Sequence, residues 1–129
     1  MKITNVEVCV FDAYGTLFDV NSAAAKCKDK IGNRWESFSS AWRTTQLEYT
    51  WLRSLMKTHK NFWEITEDSL DHAMETFKIK KQMRNELLDL YKKLSPYPEV
   101  EECLKNLKTK KIKIAILSNG TPDLLMELV

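Results

Sequence analysis

The sequence predicts an α/β fold, with parallel strands and an inserted helical cap. Three observations carry this. Residues 6–11 and 112–117 are short, β-branched and nearly all apolar, the pattern of buried strands. The stretch between them is helical in pattern and far longer than a plain crossover between parallel strands requires. Each strand also runs into a polar turn that holds a glycine, Gly15 or Gly120. In a parallel sheet such turns lie at one edge, which is where α/β sites form.

The elements follow in order. Asp12-Ala13-Tyr14-Gly15-Thr16 forms a loop after the first strand. A helix is expected over residues 21–31, with Asn21 or Ser22 as N-cap and Gly32 at its end. Over residues 36–59 the apolar Phe38, Ala41, Trp42, Tyr49, Leu52 and Met56 recur at helical steps. A third helix is expected after Thr66, with Glu67 and Asp68 in its first turn, where acidic groups suit the helix dipole. A fourth covers residues 80–94 and stops before Pro96-Tyr97-Pro98, because the residue before a proline avoids the helical region. A fifth covers residues 99–109. After the second strand, Thr121-Pro122 reads as an N-cap with proline at the first helical position.

Composition narrows the function classes. The 129 residues are 43% hydrophobic and 29% charged, enough for the core of one ordinary domain. A net charge of +2 carries no basic patch of nucleic-acid strength, so no nucleic-acid partner is expected. No apolar run approaches the roughly 20 residues of a membrane helix, so no membrane partner is expected either. Asp12 interrupts the apolar N-terminal stretch, which does not read as a signal peptide. Cys9, Cys27 and Cys103 are odd in number and irregular in spacing, so they form neither a disulfide framework nor a zinc motif. Reduced thiols and a cytoplasmic location follow as expectations. His59 and His72 read as partly exposed helix residues, and Trp35, Trp51 and Trp63 as core of the cap.

Asp12, at the end of the first strand, could serve as nucleophile, metal ligand or structural cap. Its surroundings are more specific. F-D-A-Y-G-T-L-F-D-V over residues 11–20, followed much later by L-S-N-G at 117–120, resembles the haloacid dehalogenase superfamily. That resemblance makes Asp12 a covalent nucleophile, and it makes Ser118 the residue that positions substrate. Most superfamily members are magnesium-dependent phosphatases with a second aspartate two positions after the first. Here Tyr14 stands there. A phenol with an ordinary pKa near 10 cannot protonate a leaving alkoxide at neutral pH. A halide leaving group needs no such proton, so Tyr14 points toward displacement at carbon.

Residues 42–55, W-R-T-T-Q-L-E-Y-T-W-L-R-S-L, resemble the cap helix of the type II 2-haloacid dehalogenases. By that resemblance Arg43 receives the departing halide or holds the substrate carboxylate, work suited to a planar, permanently charged guanidinium. On its own pattern Arg43 reads as a solvated helix arginine. The resemblance further assigns Thr16 to a hydrogen bond near the nucleophile, and Ser118 and Asn119 to the substrate carboxylate. It makes Tyr14, Leu47 and Phe62 apolar walls around the substrate carbon; ordinary core packing is the alternative for these three. The implied architecture is a Rossmann-like core over residues 1–18 and 96–129, incomplete here, with a helical cap over 19–95.

The implied activity is hydrolysis of small (S)-2-haloalkanoic acids to 2-hydroxy acids through an aspartyl ester, with no cofactor, no metal and a small anionic haloacid as substrate. The alternatives are a magnesium-dependent phosphatase of the same superfamily and a non-catalytic truncated domain. The family also uses a lysine beyond the second motif, whereas the last lysine here is Lys113. The chain therefore reads as the N-terminal part of a longer enzyme. Taken alone it is expected to be inactive and marginally stable, with an open sheet edge through which a homodimer could form.

Overall fold

The computed structural model describes residues 4–129. Packing divides the chain into two compact units, one running through Asp19 and resuming at Ser95–Ser118, the other Val20–Leu94 with Asn119–Val129. The final helical segment thus groups with the helical unit rather than with the sheet.

The first unit holds the expected parallel pair. Strand β1, Val8–Phe11, runs beside β4, Lys113–Ile116, with Val8 opposite Lys113 and Phe11 opposite Ile116. Two bonds extend the ladder: Lys113 N–H donates to Glu7 O (2.9 Å) and Leu117 N–H donates to Phe11 O (2.9 Å). Helix α6, Val100–Thr109, precedes β4 and packs on it. A two-residue antiparallel pair, β2 (Phe18–Asp19) with β3 (Ser95–Pro96), is also present. No sequence signal marks it, because two residues are too few to show a period.

The strands are not buried as their composition predicts. Val8, Val10, Ile114 and Leu117 are exposed, Val10 by 58%. In a two-stranded sheet each strand is an edge, so an apolar strand gains a cover only if further elements pack on it.

The second unit is helical: α1 (Ser22–Lys26), α2 (Lys28–Ile31), α3 (Trp35–Leu55), α4 (Phe62–Phe77), α5 (Arg84–Tyr91) and α7 (Pro122–Leu128), with a 3-10 turn at Lys81–Met83. The helix expected over 21–31 is thus two short ones, broken at Cys27. Asn21 stands at the N-cap position of the first, as expected, but its side chain makes no capping bond; its Oδ1 accepts a hydrogen bond from Ser39 Oγ of α3 (2.7 Å). The expected start of α4 is also corrected. The helix begins at Phe62, capped by a box in which Asn61 Oδ1 accepts from Glu64 N–H and Glu64 Oε2 accepts from Asn61 N–H. Thr66 lies inside this helix and donates to Phe62 O (2.8 Å).

Helices α3 and α4 pack antiparallel, the start of α3 meeting the end of α4 where Phe38 and Phe77 stack edge-on at 5.9 Å. Phe38, Leu70, Ala73 and Leu87 are fully buried, and Trp42 packs on Tyr91 at 5.0 Å. Ala23 and Ala24 of α1, both without exposed surface, let that helix approach α3 and α5 closely. Arg84 forks onto Asp71 through Nε and Nη2 (2.6 and 3.0 Å), and Lys60 pairs with Asp68 at 2.7 Å. The stripe expected along residues 36–59 is buried only in its first half. Leu52 and Met56 are exposed, as are Trp51 and Leu55. Periodicity tells which side chains share a face; it does not supply a neighbour to cover it. Trp51 is therefore not core, while Trp35 and Trp63 are half-buried.

Candidate active site

In the first unit the chain leaves β1 at Asp12 and turns at once. Ala13, fully buried, supplies one carbonyl oxygen that accepts from Thr16, Leu17 and Phe18 N–H at 3.3, 3.0 and 3.0 Å. Gly15 sits at φ 91°, a conformation that disfavours any side chain, and its N–H donates to Phe18 O (2.8 Å). This tight reversal brings Thr16 back beneath Asp12, and Thr16 Oγ1 donates to Asp12 Oδ2 at 3.0 Å. Asp12 is exposed while Tyr14 is buried. The register that sets Phe11 beside Ile116 sends Ser118 out of β4 at the edge where Asp12 leaves β1. Asp12, Thr16 and Ser118 thus share the carboxyl edge of the parallel pair.

In the second unit Arg43 and Leu47 lie one turn apart on α3, both half-buried, and Phe62 is buried at the first turn of α4. A polar network inside the helical core links Arg43 to that turn. Arg43 Nη1 donates to Gln46 Oε1 at 2.7 Å. Gln46 Nε2 donates to Thr66 Oγ1 (2.6 Å) and to Tyr91 OH (3.1 Å). Tyr91 OH lies 3.2 Å from Gln46 Oε1. Trp42 Nε1 donates to Thr66 O (3.1 Å), and Thr66 Oγ1 donates to Phe62 O. Burial pushes the Tyr91 phenol up to about 12, although the Arg43 charge and the bonds from Gln46 and Arg43 pull the other way. Asn119 is exposed in this unit, ahead of α7.

Gln46, Thr66 and Tyr91 were not expected from the sequence. A signal was available for Gln46: it falls four residues after Trp42, inside the apolar stripe of α3, where an amide requires hydrogen-bond partners. Thr66 and Tyr91 carry no such mark. His59 and His72 are exposed, and His59 lies outside any helix. Among the described residues no group of three or more His, Cys, Asp or Glu is placed to hold a metal ion, and no helix is long and apolar enough to cross a membrane.

An aspartate that follows β1 directly and is held by a threonine four residues on, with a serine two residues beyond the parallel β4, stands at the carboxyl edge of an α/β sheet. The haloacid dehalogenase-like hydrolase family model matches residues 6–129, and the chain belongs to that family. It is 46% identical over 122 residues to (S)-2-haloacid dehalogenase 1 of Pseudomonas sp. strain CBS-3, an alignment covering 93% of this chain and 54% of that protein. It is 42% identical over 125 residues to (S)-2-haloacid dehalogenase 4A of Burkholderia cepacia, covering 95% and 54%. Among solved structures, L-2-haloacid dehalogenase from Xanthobacter autotrophicus with chloropropionic acid covalently bound matches with a TM-score of 0.84 and 39% identity, over 97% of this chain and 51% of that one. The chain spans about half the length of the curated relatives it matches. The α/β class expected from the sequence stands.

Proposed function

We propose that this protein hydrolyses small (S)-2-haloalkanoic acids, with Asp12 as nucleophile. The observation that carries the reading is the Thr16–Asp12 hydrogen bond at the carboxyl edge of β1, in a chain so similar to (S)-2-haloacid dehalogenases. A carboxylate oxygen of Asp12 attacks C2 of the substrate in line. The carbon–halogen bond breaks, halide departs with the bonding pair, and an ester forms on the enzyme. Water then hydrolyses the ester, giving the inverted 2-hydroxy acid, a proton and free Asp12. Two moderate barriers replace one high one. Thr16 holds the carboxylate in one orientation. Arg43 receives the halide or the substrate carboxylate, Ser118 and Asn119 bind the substrate carboxylate, and Tyr14, Leu47 and Phe62 wall the carbon. The free thiols of Cys9, Cys27 and Cys103 support a cytoplasmic setting.

Halide release from (S)-2-chloropropionate tests the reading, with the chain assayed alone and fused to the C-terminal half of the Pseudomonas relative. Metal-independent turnover is expected of the fused protein, and none of the chain alone. Single turnover in heavy-oxygen water should place label in Asp12. Label passing straight into product would mean that water attacks carbon, and a chelator-sensitive phosphate-ester activity would replace the reading with a phosphatase.

A further inference from the structure

We propose that Gln46 is a positioning residue for Arg43, and that its amide is keyed by Thr66 of the neighbouring helix so that the guanidinium is held in one plane to receive an anion. The inference rests on the reading of Arg43 as the anion-binding group.

The donor directions in the network are determined by chemistry. The Thr66 hydroxyl has one hydrogen, and it is directed at Phe62 O, 2.8 Å away in the preceding turn. Its remaining capacity is to accept, and the atom 2.6 Å from it on Gln46 must therefore be the NH2 nitrogen. That assignment turns the amide oxygen toward Arg43, whose Nη1 can only donate. A flipped amide would face two donors to each other at Arg43 and two acceptors at Thr66. Gln46 and Thr66 have almost no exposed surface, so water cannot rescue the wrong orientation. Tyr91, also buried, braces the same amide from α5. The result is a guanidinium whose Nη1 meets an oxygen that three helices hold in place, with Tyr91 bonded to Arg43 beside it.

Holding matters for this group in particular. A planar fork recognises a carboxylate or a departing halide through the direction of its N–H bonds, and a swinging arginine loses rotamer freedom on each binding event. Thr45 and Ser39, the other buried polar side chains of α3, are not bonded to Arg43 in this network.

The test uses near-isosteric changes at Thr66, which does not touch Arg43. Thr66→Val removes the hydroxyl and keeps the shape; Thr66→Ser keeps the hydroxyl. Arginine side-chain NMR of the full chain, titrated with sodium bromide, reads both the mobility of the Arg43 guanidinium and its anion affinity. In the wild type the Arg43 Nη signals should be resolved at low temperature and should shift with bromide. In Thr66→Val they should coalesce, and bromide affinity should fall about tenfold, the scale of one hydrogen bond to a charged group. Thr66→Ser should restore both. Gln46→Met should match Thr66→Val.

A Thr66→Val chain with wild-type bromide affinity and resolved Arg43 signals overturns the proposal while leaving the anion role of Arg43 standing. So does a Thr66→Ser chain as defective as Thr66→Val, since that would report packing rather than the hydroxyl. A wild-type chain in which bromide leaves Arg43 unshifted removes the anion role itself and the proposal with it.

Discussion

At the scale of single residues, charge and burial divide the work. Arg43 is half-buried on α3, and the anion role proposed for it depends on the planar guanidinium fork. Arg43→Lys retains the charge and loses the fork, and kcat/KM of the fused protein for (S)-2-chloropropionate should fall at least about tenfold. Asp12→Asn replaces a carboxylate by a poor nucleophile and should abolish halide release by the fused protein, with little effect on folding because the residue is exposed. Tyr91 gives a stability signature. Its phenol stays protonated to about 12 in the folded chain, while the unfolded phenol ionises near 10. Raising pH from 10 to about 12 therefore favours unfolding, because only the unfolded state releases the proton. The shift corresponds to roughly 2–3 kcal/mol, fully present below pH 10 and lost by about 12. Denaturant unfolding across that range should show a steeper alkaline loss in the wild type than in Tyr91→Phe. Cys27 offers a contrast in reactivity. Burial, with Glu86 adding to it, raises its thiol pKa, whereas Cys103 is exposed. Alkylation should label Cys103 in the native chain and Cys27 only on unfolding, as peptide mapping would report.

At the scale of elements, two boundaries carry measurable energy. The Asn61–Glu64 box satisfies backbone donors at the start of α4, the helix that supplies Phe62 and Thr66. Asn61→Ala should cost about 1 kcal/mol in urea unfolding, the usual worth of an N-cap. Gly32 ends α2 at φ 87° and ψ −166°, a region nearly closed to residues with a side chain. A Cβ there would meet nothing within 4 Å. Gly32→Ala should therefore lose about 1–3 kcal/mol from backbone strain alone, and crowding should play no part. The glycine was legible as a helix stop, because the apolar pattern lapses there. The capping box was equally legible as N-x-x-E, yet Thr66 with Glu67 and Asp68 behind it makes a competing start signal. The tertiary environment decided between them. Thr66 packs against Gln46 and Trp42 at the centre of the unit, where its hydroxyl and carbonyl have fixed partners.

At the scale of the whole molecule, the two units differ in how much core they possess. The helical unit encloses Phe38, Leu70 and Leu87 completely. In the sheet unit α6 buries no residue fully, and β1 and β4 leave Val8, Val10 and Ile114 exposed. Local opening costs little where few apolar contacts must be broken. Native-state hydrogen exchange should therefore show fast exchange for the β1 and β4 amides and slow exchange for the middle of α3 and α4. Equal protection in both would contradict the difference in burial.

The sequence by itself determined the parallel strand pair, the Asp12 turn with its glycine and threonine, the α/β class, and the position of Arg43 on a long helix. The strands, the turn and the helix follow from local information: β-branched runs, a residue that tolerates positive φ, an apolar period; the part of Thr16 beside Asp12 came from the resemblance of residues 11–20 to a known family. What only the tertiary structure decided concerns which neighbours meet. Val10 and Leu55 are as apolar as Phe38 and Leu70, yet the first pair is exposed and the second enclosed, because burial depends on what packs opposite and not on the side chain itself. Gln46, Thr66 and Tyr91 come from three helices widely separated along the chain. They form one network because an amide, a hydroxyl and a phenol taken out of water must satisfy one another. That requirement arises only once the helices are packed.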